Sequence, residues 1–222
     1  MKIYDISMEI SPEMAVYKDR DEKRPVFETL RDFGQGSVYE TRLQFDLHTG
    51  THIDMPLHMI EGSPDSAFWH AGRFFSRCTV LDFLSPEIDA VKAQDLEAKE
   101  KALTPLFDPF AAGRSVLLKT RNSFQQAFDF SFVYLHQSGA AYLAGRDLAG
   151  VGIDALGIER DQPGHETHKA LLKAGIWILE GLRLAEVPEG DYILVLMPLK
   201  VKGVEALPAR AVLIPPTSMN LA

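Results

Sequence analysis

The segment from His48 to His58 constrains the fold of this chain more than any other stretch, because it combines three histidines, an aspartate, a glycine and a proline. Pro56 disfavours a helix here, since proline lacks a backbone N–H and its ring clashes with the preceding helical turn. Gly50 allows the backbone to bend sharply. The segment is therefore predicted to be the end of a strand that continues into an extended loop.

The residues just before this segment alternate between two faces. Tyr39, Leu43 and Leu47 belong to an apolar or β-branched face, and polar residues lie between them. This period of two predicts a half-buried strand with His48 in its polar register. Side chains two residues apart in an extended chain point the same way, so the even-numbered histidines and the aspartate of the segment are expected to converge. These residues are His48, His52, Asp54 and His58.

Further strands and helices are predicted from short apolar runs and from helix end signals. The strand candidates are Cys78–Phe83, Ser115–Thr120, Gly150–Ile153, Ile176–Leu179, Tyr192–Leu199 and Arg210–Ile214. The helix candidates are Ala90–Lys101, Gln137–Ala144 and Glu166–Ala174. Strands outnumber helices and the two types are mixed along the chain, which indicates an α/β or α+β fold with a substantial sheet. A length of 222 residues without a linker or a repeat predicts one domain over residues 1–222.

The composition argues against several classes of function. A net charge of −8 without a basic stripe is atypical of a nucleic-acid-binding protein, and the mixed-sign cluster from Lys18 to Arg24 is typical of a solvated loop. The sequence has no apolar run of about 18 residues that would suggest a membrane span. Cys78 is the single cysteine, which excludes an intramolecular disulfide, and the N-terminus does not resemble a signal peptide. We therefore expect a cytoplasmic protein whose partner is a small molecule, not a nucleic acid or a membrane.

The histidine segment is suited to metal binding. Three of the seven histidines fall within it, and imidazole together with carboxylate suits zinc, manganese or iron. His48, His52 and Asp54 are the candidate ligands of a first ion. The carboxylate of Asp54 has two oxygens and could bridge to a second ion, which a neutral imidazole with one free lone pair cannot do. His58, offset from these ligands, is the candidate general base and acid for hydrolysis by a metal-activated water.

Two residues far downstream are candidates for the second ion. His168 lies in the first turn of a predicted helix, and Glu180 follows an apolar strand. A carboxylate at the end of a buried strand needs a positive partner, which either a metal ion or Arg183 could supply. His165 lies three residues before His168 and competes with it for the ligand role, and the residue pattern alone leaves this choice open.

The fixed positions of the histidine segment form the pattern His48-x-Gly50-Thr51-His52-x-Asp54-x-Pro56-x-His58. This pattern resembles the HxGTHxDxPxH signature of the metal-dependent cyclase-like hydrolases, a family that includes kynurenine formamidases and isatin hydrolases. The resemblance extends over nearly the whole chain. Its further elements are Tyr4–Ser7, Gly152–Asp154, His168–Leu172, Ile178–Glu180 and Met197–Lys200. The resemblance implies a swivelling β/β/α-type single domain of the α/β class with a substantial mixed sheet.

The resemblance also implies a role for each site residue. The implied metal ligands are His48, His52, Asp54, His168 and Glu180. His168 is favoured over His165 because it stands twelve residues before Glu180, as in the formamidases. His58 would donate and accept the proton, and Tyr17 would bind substrate in the place of a tryptophan. The implied cofactor is one or two divalent ions per subunit, with zinc as the first choice and manganese as the alternative.

Two departures from the formamidase pattern bear on the substrate. Formamidases typically have Trp-Pro-Gly-Asp near the substrate-packing aromatic, whereas Tyr17 is followed by Lys18-Asp19-Arg20, and Gly157 stands where they often have serine. We therefore expect a metal-dependent hydrolase of an amide, formamide, lactam or ester that is arylformamidase-like. The alternatives are an isatin-hydrolase-like lactam opening, a cyclase or dehydratase, and a non-catalytic metal- or ligand-binding protein. The family also implies a homodimer or homotetramer.

Overall fold

The computed structural model describes residues 2–66 and 70–216, which form twelve strands and three α-helices. The strands are β1 (Tyr4–Asp5), β2 (Val26–Arg31), β3 (Glu40–Gln44), β4 (His52–Asp54), β5 (Phe75–Asp82), β6 (Ala90–Val91), β7 (Ser115–Lys119), β8 (Tyr134–Leu135), β9 (Gly150–Ile153), β10 (Trp177–Glu180), β11 (Gly190–Pro198) and β12 (Ala206–Ile214). The helices are α1 (Ala93–Leu103), α2 (Gln137–Ala144) and α3 (Glu166–Lys173). Short 3₁₀ turns lie at Tyr17–Asp19, Asp21–Lys23, Pro56–His58, Ala71–Phe74 and Arg121–Phe124.

Seven strands close into a barrel-like mixed sheet. The order is β12, β11, β5, β7, β9, β10 and β4, and β4 pairs again with β12 to close the ring. The four strands β5, β7, β9 and β10 run parallel to one another. The other pairs in the ring are antiparallel. β1 pairs with β12 outside the ring. This closed mixed sheet with its three helices agrees with the predicted α/β domain.

The central parallel strands are buried on both faces. Leu117 of β7 packs inside the ring with Val80 and Trp177, whereas Val116 and Leu118 pack against the helices outside it. Successive side chains of a strand point to opposite faces, so burial of both faces requires an almost continuous apolar run. This requirement explains why short apolar runs in the sequence predict β5, β7, β9 and β10 well.

Gly150 makes room for the largest side chain inside the ring. Trp177 on β10 pairs with Gly150 on the neighbouring β9 and is fully buried. A Cβ atom at Gly150 would lie only 2.1 Å from the indole ring of Trp177. The glycine therefore fixes where the tryptophan can pack.

The first helix begins later than the sequence predicts. Ala90 and Val91 form β6, which pairs in parallel with β8, so the predicted helix Ala90–Lys101 is wrong in its first turn. The backbone N–H of Lys92 donates to the carboxylate of Asp95 at 2.8 Å, which caps α1 at Ala93. The helices α2 and α3 lie where they are predicted. No helix within residues 2–66 and 70–216 is long and apolar enough to cross a membrane.

The strand predicted over residues 39–48 is shorter than expected and is exposed. β2 and β3 form a separate two-stranded hairpin, in which Phe27 lies opposite Leu43. These two side chains are 43% and 42% exposed, so the prediction of a half-buried strand is wrong. The alternation in the sequence is real, but its apolar face is not covered by another element of the described chain. His48 lies beyond this hairpin, in the turn before β4.

Candidate metal centre

The closing strand of the ring supplies the centre of the site. His52 and Asp54 are the first and last residues of β4, and both are almost completely buried. In the antiparallel pair of β4 and β10, His52 lies opposite Glu180. Residues that face each other across an antiparallel pair have neighbouring side chains. The topology of the ring therefore brings together two segments that are far apart in the sequence.

His48 joins this group through a turn, not along one extended strand as expected. Gly50 has a φ of 63°, a left-handed conformation that glycine adopts without strain. After this turn, Nδ1 of His48 lies 3.1 Å from Nε2 of His52 and 3.1 Å from Oδ1 of Asp54. Nε2 of His52 lies 3.5 Å from the same oxygen of Asp54. The three donor atoms form one compact group.

The other carboxylate oxygen of Asp54 faces a second group of donor atoms. Nε2 of His168 lies 3.5 Å from Oδ2 of Asp54 and 3.4 Å from Oε1 of Glu180. The remaining oxygen of Glu180, Oε2, lies 3.5 Å from Nε2 of His52. Asp54 and Glu180 thus each direct one oxygen towards His52 and the other towards His168.

The carboxylate of Asp54 is buried without a hydrogen bond. Neither of its oxygens has a hydrogen-bond partner among the residues that the structure describes. Burial alone would raise the pKa of Asp54, but the imidazoles of His168, His48 and His52 outweigh burial and hold this pKa well below its usual value. The carboxylate is therefore ionised, and a buried charge without hydrogen bonds requires compensation by positive charge.

The donor set fits a divalent metal. Three imidazoles and two carboxylates are the ligand types that zinc and similar ions take in proteins. Tetrahedral bonds of about 2.1 Å place ligand atoms roughly 3.4 Å apart, and the separations between His48, His52 and Asp54 are 3.1 to 3.5 Å. The group His52, Asp54 and Glu180 has its donor atoms within 4.8 Å of one another.

Neighbouring acceptors orient two of the imidazoles. Nδ1 of His52 lies 2.9 Å from the carbonyl oxygen of Gly50, so this nitrogen donates and Nε2 remains free to bind. Nδ1 of His168 lies 2.9 Å from Oε1 of Glu159, close but not aligned as a hydrogen bond. Burial would lower the pKa of His168, but Asp54, Glu159 and Glu180 raise it well above the usual value.

Glu159 is a site residue that the sequence analysis does not predict, and it lies beside both His165 and His168, with donor atoms of the three residues within 4.8 Å of one another. Nδ1 of His165 lies 2.5 Å from Oε1 of Glu159, and its side chain is 51% exposed. Within the described chain, we find no contact of His165 with Asp54 or Glu180. No motif marks Glu159, because an acid in an irregular loop carries no periodic signal; its location beside His168 depends on the tertiary fold.

A cavity of about 240 Å³ opens onto the metal-binding candidates. His58 lines it, with its ring 4.2 Å from the ring of His48, and burial lowers the pKa of His58. Tyr17 lines the same cavity and packs edge-to-face on Phe128 at 5.4 Å. Burial and the nearby charge of Glu180 raise the pKa of Tyr17, so its phenol keeps its proton near neutral pH.

Several known proteins are similar to this chain over almost its whole length. Residues 4–160 match the family model described as "Putative cyclase". The kynurenine formamidase of Salinibacter ruber is 31% identical over 220 residues, which cover 96% of this chain and 97% of that protein. A solved structure of a potential metal-dependent hydrolase with cyclase activity is 42% identical, with a TM-score of 0.83 and 96% of each chain covered. Isatin hydrolase A from Ralstonia solanacearum shares the fold, with a TM-score of 0.82, 20% identity, and 96% of this chain and 91% of that chain covered.

The fold and the buried imidazole–carboxylate cluster define a metal-dependent hydrolase scaffold. The chain belongs to the cyclase family, because the family model matches more than half of it and a relative above 30% identity covers nearly all of it. This membership confirms the resemblance that the histidine segment indicates in the sequence. It also confirms the expected swivelling mixed α/β fold, which the neighbours share.

Proposed function

We propose that this chain is a metal-dependent hydrolase with arylformamidase-like activity, which cleaves the C–N bond of a small aromatic amide that is not a peptide. The observation that carries the proposal is the carboxylate of Asp54, buried without hydrogen bonds between two groups of donor atoms. The similarity to kynurenine formamidases over almost the whole chain supports the choice of an amide as substrate.

The proposed ligands fall into two groups that share Asp54. His48, His52 and Asp54 would hold the first divalent ion, and Asp54, His168 and Glu180 would hold the second. Imidazole together with carboxylate suits both zinc and manganese, and we take zinc as the first choice and manganese as the alternative. Both groups are needed for two ions, whereas the first group alone would hold one.

The mechanism follows from where the side chains lie. A divalent metal bound here supplies an activated water and polarises the carbonyl of the scissile amide. His58 lies beside His48 and Asp54, with donor atoms of the three residues within 4.8 Å of one another, and its lowered pKa leaves the imidazole neutral near pH 7 and able to accept a proton. The same imidazole then donates this proton to the leaving nitrogen. Tyr17 provides an aromatic surface against which the ring of the substrate packs.

We further propose that two copies of the chain form a homodimer, with a homotetramer as the alternative, through the hairpin of β2 and β3. The hairpin exposes Phe27 and Leu43 on one face, and such apolar surface typically marks an interface. The ion pairs Glu28–Arg42 and Arg31–Glu40 balance its charge, so two copies can approach there despite a net charge of −8 per chain. Light scattering measures the molar mass of the parent chain and of a Phe27→Asp variant in solution. The parent should be a dimer or a tetramer, and the variant should be monomeric.

We also propose that residues 1–222 form one hydrolase domain, which works in the cytoplasm on a small molecule. Cys78, the single cysteine, is buried inside the ring, and burial raises the pKa of its thiol far above the usual range. The fold therefore needs neither a disulfide nor an oxidising compartment. Fractionation of the native host cells measures the location.

Metal analysis combined with a hydrolysis screen tests the proposed function. The purified protein should contain zinc or manganese and should hydrolyse N-formylkynurenine or another aryl formamide faster than isatin. His58→Ala should lower kcat by about 10²- to 10⁴-fold without loss of metal, while His70→Ala, at an exposed position outside the cavity, should have no effect. Bound metal without turnover of any formamide, lactam or ester would instead indicate a metal-binding protein, and faster opening of isatin would indicate a lactam hydrolase.

A further inference from the structure

Lys23 brings a positively charged side chain to the lining of the candidate active site. It lines the 240 Å³ cavity together with His58 and Glu180. Among the described residues that line this cavity, Lys23 is the only lysine or arginine. Its side chain is 28% exposed, so solvent reaches it.

The loop that carries Lys23 is held by a network around Arg24. The guanidinium of Arg24 donates to the carbonyl of Met14 at 2.7 Å, to Asp21 at 3.0 Å and to Asp19 at 2.6 Å. The backbone N–H of Lys23 donates to the carbonyl of Arg20 at 3.0 Å. The sequence predicts that the mixed-sign cluster from Lys18 to Arg24 is a solvated loop. These hydrogen bonds also fix the backbone that carries Lys23.

This loop follows a path that the formamidase pattern cannot follow. Lys18 and Asp19 have φ angles of 58° and 51°, both in the left-handed region. Proline fixes φ near −65°, so the Pro of the Trp-Pro-Gly-Asp pattern could not occupy the position of Lys18. Left-handed residues other than glycine persist only where the surroundings hold them. The path of the chain from Tyr17 towards Lys23 therefore departs from the one that this pattern would take.

The ammonium of Lys23 is available to a substrate although it already has a partner. It lies 3.4 Å from the carboxylate of Asp46, whose side chain is 53% exposed. An exposed ion pair of this kind contributes only about 0.2–1 kcal/mol. An ammonium has three donor hydrogens, so one can hold Asp46 while another binds a substrate anion.

The rest of the cavity is suited to a single aromatic ring. Tyr17, Met59 and Leu156 provide apolar lining. Gly157 leaves space for Tyr17, because a Cβ atom at that position would lie 3.1 Å from its ring. A dry cavity of roughly 150 Å³ is enough to hold benzene, so 240 Å³ accommodates one ring with small substituents.

We propose that Lys23 is a specificity-determining residue that binds an anionic substituent, such as a carboxylate, on a single-ring aryl amide substrate. This inference deepens the proposed hydrolase function and rests on it. With a net charge of −8, the chain as a whole repels anions. A carboxylate-bearing substrate would therefore depend on a local cation at the cavity, and Lys23 provides that cation.

A pair of substrates that differ by one carboxylate tests the proposal. For the metal-loaded enzyme, kcat/KM is measured with N-formylanthranilate and with formanilide, and their ratio expresses the preference for the anion. A hydrogen bond between charged groups predicts that Lys23→Gln lowers this ratio by about 10- to 100-fold, mainly through KM. Lys23→Arg should restore most of the ratio. Arg20→Gln removes the same charge from an exposed site in the same loop and should leave the ratio unchanged.

Calorimetric titration of the metal-loaded protein with anthranilate separates failure of this inference from failure of the proposed function. If neither formamide is turned over but anthranilate binds more than tenfold more weakly to Lys23→Gln, the hydrolase function is wrong and the anion site stands. If the ratio and the anthranilate affinity are the same in Lys23→Gln and in the parent enzyme, Lys23 does not recognise the anion. A ratio that falls equally in Arg20→Gln would also overturn the proposal, because the loss would then reflect the net charge of the protein and not a contact with Lys23.

Discussion

Glu159 contacts both the side chain and the backbone of His168. Its Oε1 lies 2.9 Å from Nδ1 of the imidazole, and its Oε2 accepts the backbone N–H of His168 at 3.3 Å. The same Oε2 accepts the backbone N–H of Thr167 at 3.1 Å. One carboxylate thus caps the start of α3 and favours the orientation in which Nε2 of His168 points at Asp54 and Glu180.

We expect Glu159→Gln to weaken metal binding while the fold is kept. Partners of metal-binding histidines typically contribute 10- to 100-fold in metal affinity, so the dissociation constant of the second ion should rise by about that factor. Competition with a chromophoric chelator measures it. Glu166→Gln changes an exposed acid in the first turn of the same helix and serves as the control. Equal affinities in all three proteins would show that Glu159 only caps the helix.

Removal of metal should destabilise the protein, because the centre joins β4 to β10. A ligand present at about 100 times its dissociation constant stabilises the folded state by about 2.7 kcal/mol, which corresponds to about 5–10 °C in Tm for a chain of this size. Thermal unfolding with and without a chelator measures the difference. Asp54→Asn removes the shared carboxylate and should abolish this response to the chelator. A parent protein whose Tm is unaffected by metal and by chelator would contradict the proposed centre.

Asp154 is a buried acid outside the proposed ligand groups. Its carboxylate accepts hydrogen bonds from Oγ1 of Thr120 at 2.7 Å and Oγ of Ser123 at 2.6 Å, and from the backbone N–H groups of both residues. It thereby ties the end of β7 to the end of β9. Burial nevertheless raises the pKa of Asp154 to about 6, against the effect of these donors.

This raised pKa predicts a specific dependence of stability on pH. The folded pKa lies above the ordinary value of 3.8, so folding favours the protonated acid. The contribution of Asp154 is complete below about pH 4 and is lost as the pH rises through 6. A shift of about two units predicts that the advantage of the parent over Asp154→Asn falls by up to about 3 kcal/mol between pH 4 and pH 8. Urea unfolding at several pH values measures this difference in stability. A difference that grows with pH would mean that the hydrogen-bond donors to Asp154 affect its pKa more than burial does.

The packing of Trp177 against Gly150 predicts that the closed sheet does not tolerate even a methyl group at position 150. A Cβ atom there would lie 2.1 Å from the indole, so Gly150→Ala should destabilise the fold by about 1–3 kcal/mol through overpacking. Denaturant unfolding measures the loss. Gly36→Ala is the matched control, since a Cβ atom at Gly36 meets nothing within 4 Å. An unchanged unfolding midpoint for Gly150→Ala would show that the interior of the closed sheet can accommodate the methyl group.

Sequence patterns predict the elements of this fold better than they predict how the elements meet. Both faces of the strands over residues 115–119 and 150–153 are buried, and the mostly apolar runs that this burial requires are visible in the sequence. β6 and β8 have two residues each, too few for any periodicity to appear. β3 has a clear period of two, but a pattern cannot tell whether its apolar face is covered within one chain.

The candidate site shows the same division. The spacing within residues 48–58 marks His48, His52 and Asp54 as a group because the segment is short. His168 and Glu180 approach that group only because β10 pairs with β4, and single-sequence periodicity gives no information about this pairing. Their assignment from the sequence depends on the resemblance to a family. Glu159 belongs to no recognised motif, and only the folded chain brings it to His168.

The position of β4 in the ring sets the order in which the centre can be completed during synthesis. Residues 52–54 leave the ribosome early, but their hydrogen-bond partners are residues 178–180 and 206–208. Domains form as units once the necessary chain is present. A nascent chain therefore carries its histidine segment unpaired through most of translation, and β4 acquires its second neighbour only when β12 emerges. The full set of proposed donor residues therefore comes together only late in synthesis, once Glu180 has emerged and β10 has paired with β4.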